Sequence, residues 1–318
     1  MMKKNLKKTA FSLIELSIVV LIIAILITGS LSSSITAINN AKVKSTRERM
    51  AEIYKALGNY LLVNGKLPCP ASILELKTSS STYGTSVGTA GTCSGTGVYT
   101  SGTSGATNLV YGMVPVKTLG LTNDLAEDGF EDKIAYIVDK NFTGSSFGTA
   151  TSTATMTINE IPGSVTKTIT DDAIFVLVSY GINKSGSFPI NSATQITRSS
   201  DASEMTNDLD STSTPLFDKI LITDAKSSDV FDDVVFYKTR NNLLLDFGAL
   251  SLVPCQSGVL SLNYGGAADY SFAQGSYNQL VVSTTQCPLG YRSTTNYPTR
   301  RCGAFGVWDS VAVNPCTP

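Results

Sequence analysis

The chain has 318 residues, enough for one to three domains, with 42% apolar and only 15% charged residues. A formal net charge of −1 excludes a broadly basic nucleic-acid-binding surface, and the lack of any histidine excludes Ser-His-Asp and Cys-His catalysis and nearly all mixed histidine zinc sites. Six cysteines, none in a CxxC pair, point to disulfides and to a protein working outside the cytoplasm.

At the N-terminus, Lys3, Lys4, Lys7 and Lys8 precede an apolar run from Phe11 to Ile27 that is broken by one acid, Glu15. No further charge appears until Lys42. As a helix, residues 11–28 span about 27 Å, close to the ~30 Å hydrocarbon core of a bilayer. The pattern predicts a membrane segment with the lysines on the cytoplasmic side and the rest of the chain exported. A secretory signal peptide has a shorter apolar core, and an ordinary signal anchor leaves Glu15 unexplained. A carboxylate at the membrane centre costs on the order of 2.5–3.5 kcal/mol, so it needs a partner.

The stretch from Lys7 through Phe11 and Glu15 to Ile27 resembles the N-terminal signal of type IV prepilins and type II secretion pseudopilins. The resemblance implies cleavage between Ala10 and Phe11 by a prepilin peptidase, N-methylation of Phe11, and a role in subunit assembly for Glu15. Where that family usually has glycine before the cut, this chain has Ala10. The resemblance also supplies a partner for Glu15, the new α-amine of a neighbouring subunit. At ~4 Å and an effective dielectric of 20, such a pair attracts by about 4 kcal/mol and would key the register of assembly. The implied partners are the peptidase, other pilin or pseudopilin subunits, an inner-membrane assembly platform and membrane lipid. No cofactor and no nucleic acid are expected.

The helix is predicted to continue as an amphipathic half. Ile35, Ile38, Met50, Ile53, Leu57 and Tyr60 recur at three- and four-residue steps among charged residues, and Gly65 after Asn64 reads as its C-cap. From Phe11 to Asn64 this gives about 80 Å of helix. Beyond it, residues 78–107 contain 23 Ser, Thr or Gly out of 30, which reads as a flexible loop without a core. Proximity favours a disulfide between Cys69 and Cys93 across it.

Strands are predicted over Val110–Val116, Ile134–Val138, Ala173–Tyr180 and Asp233–Lys238, from their β-branched and aromatic content. Residues 141–171 and 185–215 read as hairpins or surface loops. Val114–Leu121, Asp128-Gly129-Phe130, Leu177–Gly181 and Phe231–Leu243 are similar to head segments of bacterial prepilin-type proteins. Asp124, Asp128, Glu131 and Asp132 cluster around Gly129 and are candidate calcium ligands, although their spacing is not the D-x-D-x-D-G pattern.

The last segment carries Cys255, Cys287, Cys302 and Cys316, which allow three pairings. Cys287-Pro-Leu-Gly-Tyr291, Cys302-Gly-Ala-Phe-Gly306-Val-Trp308 and Pro315-Cys316 resemble the sushi module, a small all-β unit with a buried tryptophan. That resemblance implies Cys255–Cys302 and Cys287–Cys316.

The expected fold is α+β. A leader (1–10) precedes a long helix (11–64) with membrane and amphipathic halves. That helix packs on an antiparallel β-sheet head (65–248), followed by a disulfide-stapled all-β module (249–318). The expected function is that of a minor pilin or pseudopilin-like fibre subunit, single-pass in the bacterial inner membrane, with an exported head. The alternative is a membrane-tethered adhesin or binding protein that uses the same anchor without polymerising. No nucleophile elbow, paired-carboxylate spacing or phosphate loop suggests an enzyme.

Overall fold

A computed structural model describes residues 12–78, 81–100, 108–144, 147, 156–163, 165–209, 220–225, 231–264, 267–310 and 313–318. Within them, the side chains of 26–34, 220–221, 223–225, 263–264 and 267–268 lie outside the description. Helix α1, Leu13–Asn64, starts at a capping box and stops at Gly65, whose left-handed φ of 66° lets its N–H reach the Leu61 carbonyl at 2.7 Å. The head half of α1 buries Met50, Ile53, Leu57 and Leu61 completely, one stripe at three- and four-residue spacing.

The expected membrane half is corrected. Among the described residues, no helix is long and apolar enough to cross a membrane. Along the sequence the apolar run is interrupted by Ser12, Glu15 and Ser17 and gives way at Thr28-Gly29-Ser30.

The stripe of α1 packs on a seven-stranded sheet built from β1 (Tyr99–Thr100), β2 (Leu109–Met113), β3 (Ala135–Asp139), β4 (Met156–Ile161), β5 (Lys167–Ser179), β6 (Ile220–Ala225) and β7 (Val234–Thr239). The order is β1-β2-β3-β5-β4-β6, with β7 also on β5. Strand β5 is the hub: its C-terminal half lies between β3 and β7, and its N-terminal half pairs with β4. The expected antiparallel sheet is corrected to a mixed one, because β4 and β6 run parallel. Parallel neighbours need a long crossover, and here it contains β5 and the short helix α2, Ala202–Asn207. Asn207 then pairs with β6 in the manner of a strand residue, donating from Nδ2 to the Ile222 carbonyl at 2.9 Å and accepting the Ile222 N–H at 2.7 Å.

The segment read as a coreless loop is corrected as well. Within residues 81–100, Tyr83 and Cys93 are buried, Ser86 bridges Ala71, and β1 joins the sheet through β2. The backbone contributes directly to this order: the Val87 N–H donates to the Pro70 carbonyl at 2.9 Å, and the Gly84 carbonyl accepts the Lys117 N–H at 2.8 Å. The Cys69–Cys93 disulfide closes the segment, and Thr143 Oγ1 accepts the Gly91 N–H at 3.0 Å.

After α3 (Arg240–Asp246) the chain enters the C-terminal module. It consists of two hairpins, β8 (Gly258–Tyr264) with β9 (Ala267–Phe272), and β10 (Leu280–Val282) with β11 (Thr299–Arg301). Disulfides Cys255–Cys302 and Cys287–Cys316 staple them. Their core is small: Tyr270, Phe272, Val281 and Cys316, with Trp308 packed beside them. Trp308 is half-buried, its ring centroid 5.6 Å from that of Phe272 and its Nε1–H donating to the Gln256 carbonyl.

Candidate assembly site

The N-terminal part of α1 is an apolar rod that none of the described residues covers. From Leu13 to Ile25 every large apolar side chain is exposed, ranging from 46% at Val19 to 87% at Leu13. Exposed apolar surface on this scale marks an interaction site. Glu15 is the one charge among the described residues of the rod. Its carboxylate accepts the Ser12 N–H at 3.0 Å, while Ser12 Oγ accepts the Ile14 N–H at 3.4 Å. This capping box places a negative group at the positive end of the helix macrodipole. The acid thus has a partner within its own chain, one that sequence reading did not foresee although Ser-x-x-Glu is its signature. Ala10 and Phe11, the residues of the expected cut, lie outside the described residues.

The rod is held to the head by a grip near the middle of α1. Arg49 Nη1 donates to three carbonyls of the acidic loop: Asp124 at 3.2 Å, Glu127 at 2.9 Å and Asp128 at 3.1 Å. Thr46 Oγ1 donates to the Lys42 carbonyl and accepts the Gly129 N–H, both at 2.9 Å. Gly129 lies so close that an added Cβ would sit 2.3 Å from the Lys42 carbonyl oxygen, so only glycine permits this approach. Sequence reading missed Arg49 and Thr46 because, on a helix face rich in charge, they look like solvated residues.

The candidate calcium ligands are spent on this grip and on neighbouring lysines. Asp128 accepts the N–H groups of Phe130 and Asp132 on one oxygen and the Ser179 hydroxyl on the other. Burial nevertheless pushes its carboxyl up from the ordinary value. Asp132 is also raised, by burial and by the Asp128 charge, and faces Lys184 Nζ at 3.3 Å. Asp124 is held low by Lys77, 2.6 Å away, which also pairs with Glu127. Glu131 adopts a left-handed φ of 70° and is exposed. Among the described residues, no group of three or more carboxylate or cysteine side chains is arranged to hold a metal ion.

A second set of buried acids lies where α2 meets the segment before β7. Asp233 accepts from Asn207 Nδ2 at 2.8 Å, Glu204 from Asn183 Nδ2 at 2.5 Å, and Asp208 from Arg198 Nε at 2.6 Å. Asp232 accepts the N–H groups of Ile182 and Asn183. These contacts tie the β6 edge to β7 and do not open onto the rod. No protein-family model, curated protein or solved structure matches the chain.

Proposed function

We propose that the protein is a minor pilin or pseudopilin-like subunit, cut by a prepilin peptidase at Phe11 and passed by an inner-membrane assembly platform into a fibre of related subunits. The observation that carries this reading is the uncovered rod, Leu13–Ile25, projecting from a head fastened by three disulfides. Such a rod needs cover, and helices of neighbouring subunits supply it without exposing backbone polar groups. The disulfides suit an oxidising compartment outside the cytoplasm. Glu15, alone among apolar residues, sets the register in which rods pack.

The test is intact-mass analysis of the protein made in a host with a prepilin peptidase, together with fibre incorporation of Glu15→Ala. The expected mass begins at Phe11 with one added methyl group, and Glu15→Ala is depleted from sheared fibres at least tenfold while its head stays folded. A mass that retains the first ten residues, or normal incorporation of Glu15→Ala, overturns the reading.

A further inference from the structure

The chain contains two Asn-x-Ser/Thr triplets, Asn141-Phe142-Thr143 and Asn183-Lys184-Ser185. In an exported protein such a triplet is an acceptor for N-glycosylation. Transferases of the bacterial type also read an acid two residues before the asparagine. Asp139 stands there for the first triplet and Gly181 for the second. The fold separates the two further. Asn183 is spent inside the molecule: its Nδ2 donates to Glu204 at 2.5 Å and its Oδ1 accepts the Ser185 N–H at 2.8 Å. Asn141 lies half-buried on the single turn Lys140–Thr143 that follows β3. Among the described residues, nothing bonds its carboxamide. The fold does use the other two polar positions of the pattern. Asp139 Oδ1 accepts the Asn141 N–H at 3.0 Å, and Thr143 Oγ1 donates to the Lys140 carbonyl at 2.7 Å while accepting the Gly91 N–H. Capping and turn geometry thus account for Asp139 and Thr143 but leave the side chain of Asn141 without a structural task.

We propose that Asn141 is the attachment point of an oligosaccharide, joined to the chain before the head folds. The inference goes beyond the fibre reading and needs only export, which the three disulfides support by themselves. The donor is a polyprenyl-pyrophosphate-linked oligosaccharide. Asn141 Nδ2 attacks its anomeric carbon, and a C–N bond forms as the bond from that carbon to the pyrophosphate oxygen breaks. Polyprenyl pyrophosphate leaves with the electron pair, and the amide proton passes to a carboxylate of the transferase. Nothing is oxidised or reduced. The order of events follows from burial. A transferase must reach the Asp139 carboxylate and the Thr143 hydroxyl, and in the folded head both residues are 0% exposed. Thr143 Oγ1 lies 3.1 Å from Cys93 Sγ and 3.9 Å from Cys69 Sγ, so the cystine packs against the hydroxyl. Phe142 is buried as well, and its carbonyl accepts the Leu67 N–H at 2.9 Å. Folding therefore withdraws the pattern from an enzyme, while Asn141 keeps the partial solvent access that a sugar already in place needs.

The test uses the full chain purified without glycan, a purified bacterial oligosaccharyltransferase and a synthetic polyprenyl-pyrophosphate-linked trisaccharide. Reduced, unfolded chain and oxidised, folded chain are treated in parallel and read by intact and peptide mass. The expected product is one trisaccharide on the peptide containing Asn141, formed at least tenfold faster on the reduced chain. Asn141→Gln should abolish it and keep the Tm within about 2 °C of wild type, because no bond of that side chain is lost. Asn183→Gln should leave the modification unchanged. The same chain exported by a host that supplies the transferase and its donor should carry the sugar and all three disulfides on one molecule. Exported protein with a bare Asn141, or with its sugar on Asn183, overturns the site. Folded chain modified as fast as reduced chain overturns the order of events. Either result leaves the fibre reading standing, since that reading is decided by the cut at Phe11 and by Glu15→Ala.

Discussion

Gly58 lies against the ring of Phe247, so that a Cβ added to it would sit 2.1 Å from the ring's Cζ. The ring is itself fixed by Tyr54, whose centroid is 5.2 Å away. Gly58→Ala is therefore expected to destabilise the head by about 1–3 kcal/mol through overpacking. Combining it with Phe247→Leu should restore part of the loss. Thermal melts of the single and double variants check this, and a Gly58→Ala protein as stable as wild type contradicts it.

The grip of Arg49 on three loop carbonyls leads to a second expectation. Arg49→Ala leaves those carbonyls without their charged donor, at a cost of about 1.5–3 kcal/mol. Gly129→Ala should cost at least as much, because the atom it meets is backbone and cannot swing aside. In both variants the segment between Thr122 and Lys133 should become sensitive to proteolysis before the sheet does. Limited digestion followed by mass mapping reads this directly, and cleavage elsewhere first would refute it.

Two buried groups give the stability a pH dependence of opposite signs. Burial holds the Asp233 carboxyl well above its ordinary value, with Glu204, Asp232 and Asp208 adding to the effect against the Asn207 amide. The native state then binds this proton more tightly than the unfolded chain, so stability falls as pH rises from about 4 toward neutrality. Asp233→Asn should flatten that decline and raise the Tm at pH 7. Burial pulls Lys133 down from 10.5 to about 8, although its Nζ donates to the carbonyls of Ile73 and Ser192. Between those two values the unfolded chain holds more protons, so here stability rises with pH. Lys133→Met should remove the rise. Urea midpoints across the pH range decide both, and profiles parallel to wild type would refute them.

Removing the Cys69–Cys93 disulfide with the double change Cys69→Ser and Cys93→Ser should lower stability by roughly 3–4 kcal/mol, the loop-closure entropy of about 25 residues. The C-terminal module depends on its staples more heavily, because among the described residues its buried hydrophobic cluster is just Tyr270, Phe272, Val281 and Cys316. Reduction should unfold the module at a denaturant concentration that leaves the sheet intact. Near-ultraviolet dichroism of Trp308 reports the module alone, since it is the chain's one tryptophan. Coincident loss of the Trp308 signal and the sheet signal would count against this.

The sequence revealed those elements whose side chains carry the signal. The stripe of Met50, Ile53 and Leu57 shows in its spacing, and the C-terminal half of β5 shows in its unbroken apolar run. The N-terminal half of β5, Lys167–Asp172, was hidden because, apart from Ile169, its side chains are polar, and most of them are exposed. Strand β4 falls in the stretch read as hairpins or surface loops; it forms a hairpin with β5, and its Thr157, Asn159 and Glu160 dilute the pattern that would have chosen between the two. The structured part of the Ser/Thr/Gly-rich segment was illegible because its order comes from backbone bridges and a cystine. At the candidate site, Glu15 stands out by its isolation among apolar residues. Arg49 does not, since only tertiary contact distinguishes it from a solvated cation.

The end of α1 has a mechanical consequence. A pull delivered along the helix leaves it at Gly65 and meets the Leu67 N–H bonded to the Phe142 carbonyl, then the cystine joining Cys69 to Cys93. Tension entering there is shunted across the cystine, so the residues between its two sulfurs stay slack. Halfway up the same helix, the hydroxyl of Tyr54 on Asp246 and the guanidinium of Arg49 on its three carbonyls are loaded sideways, in shear.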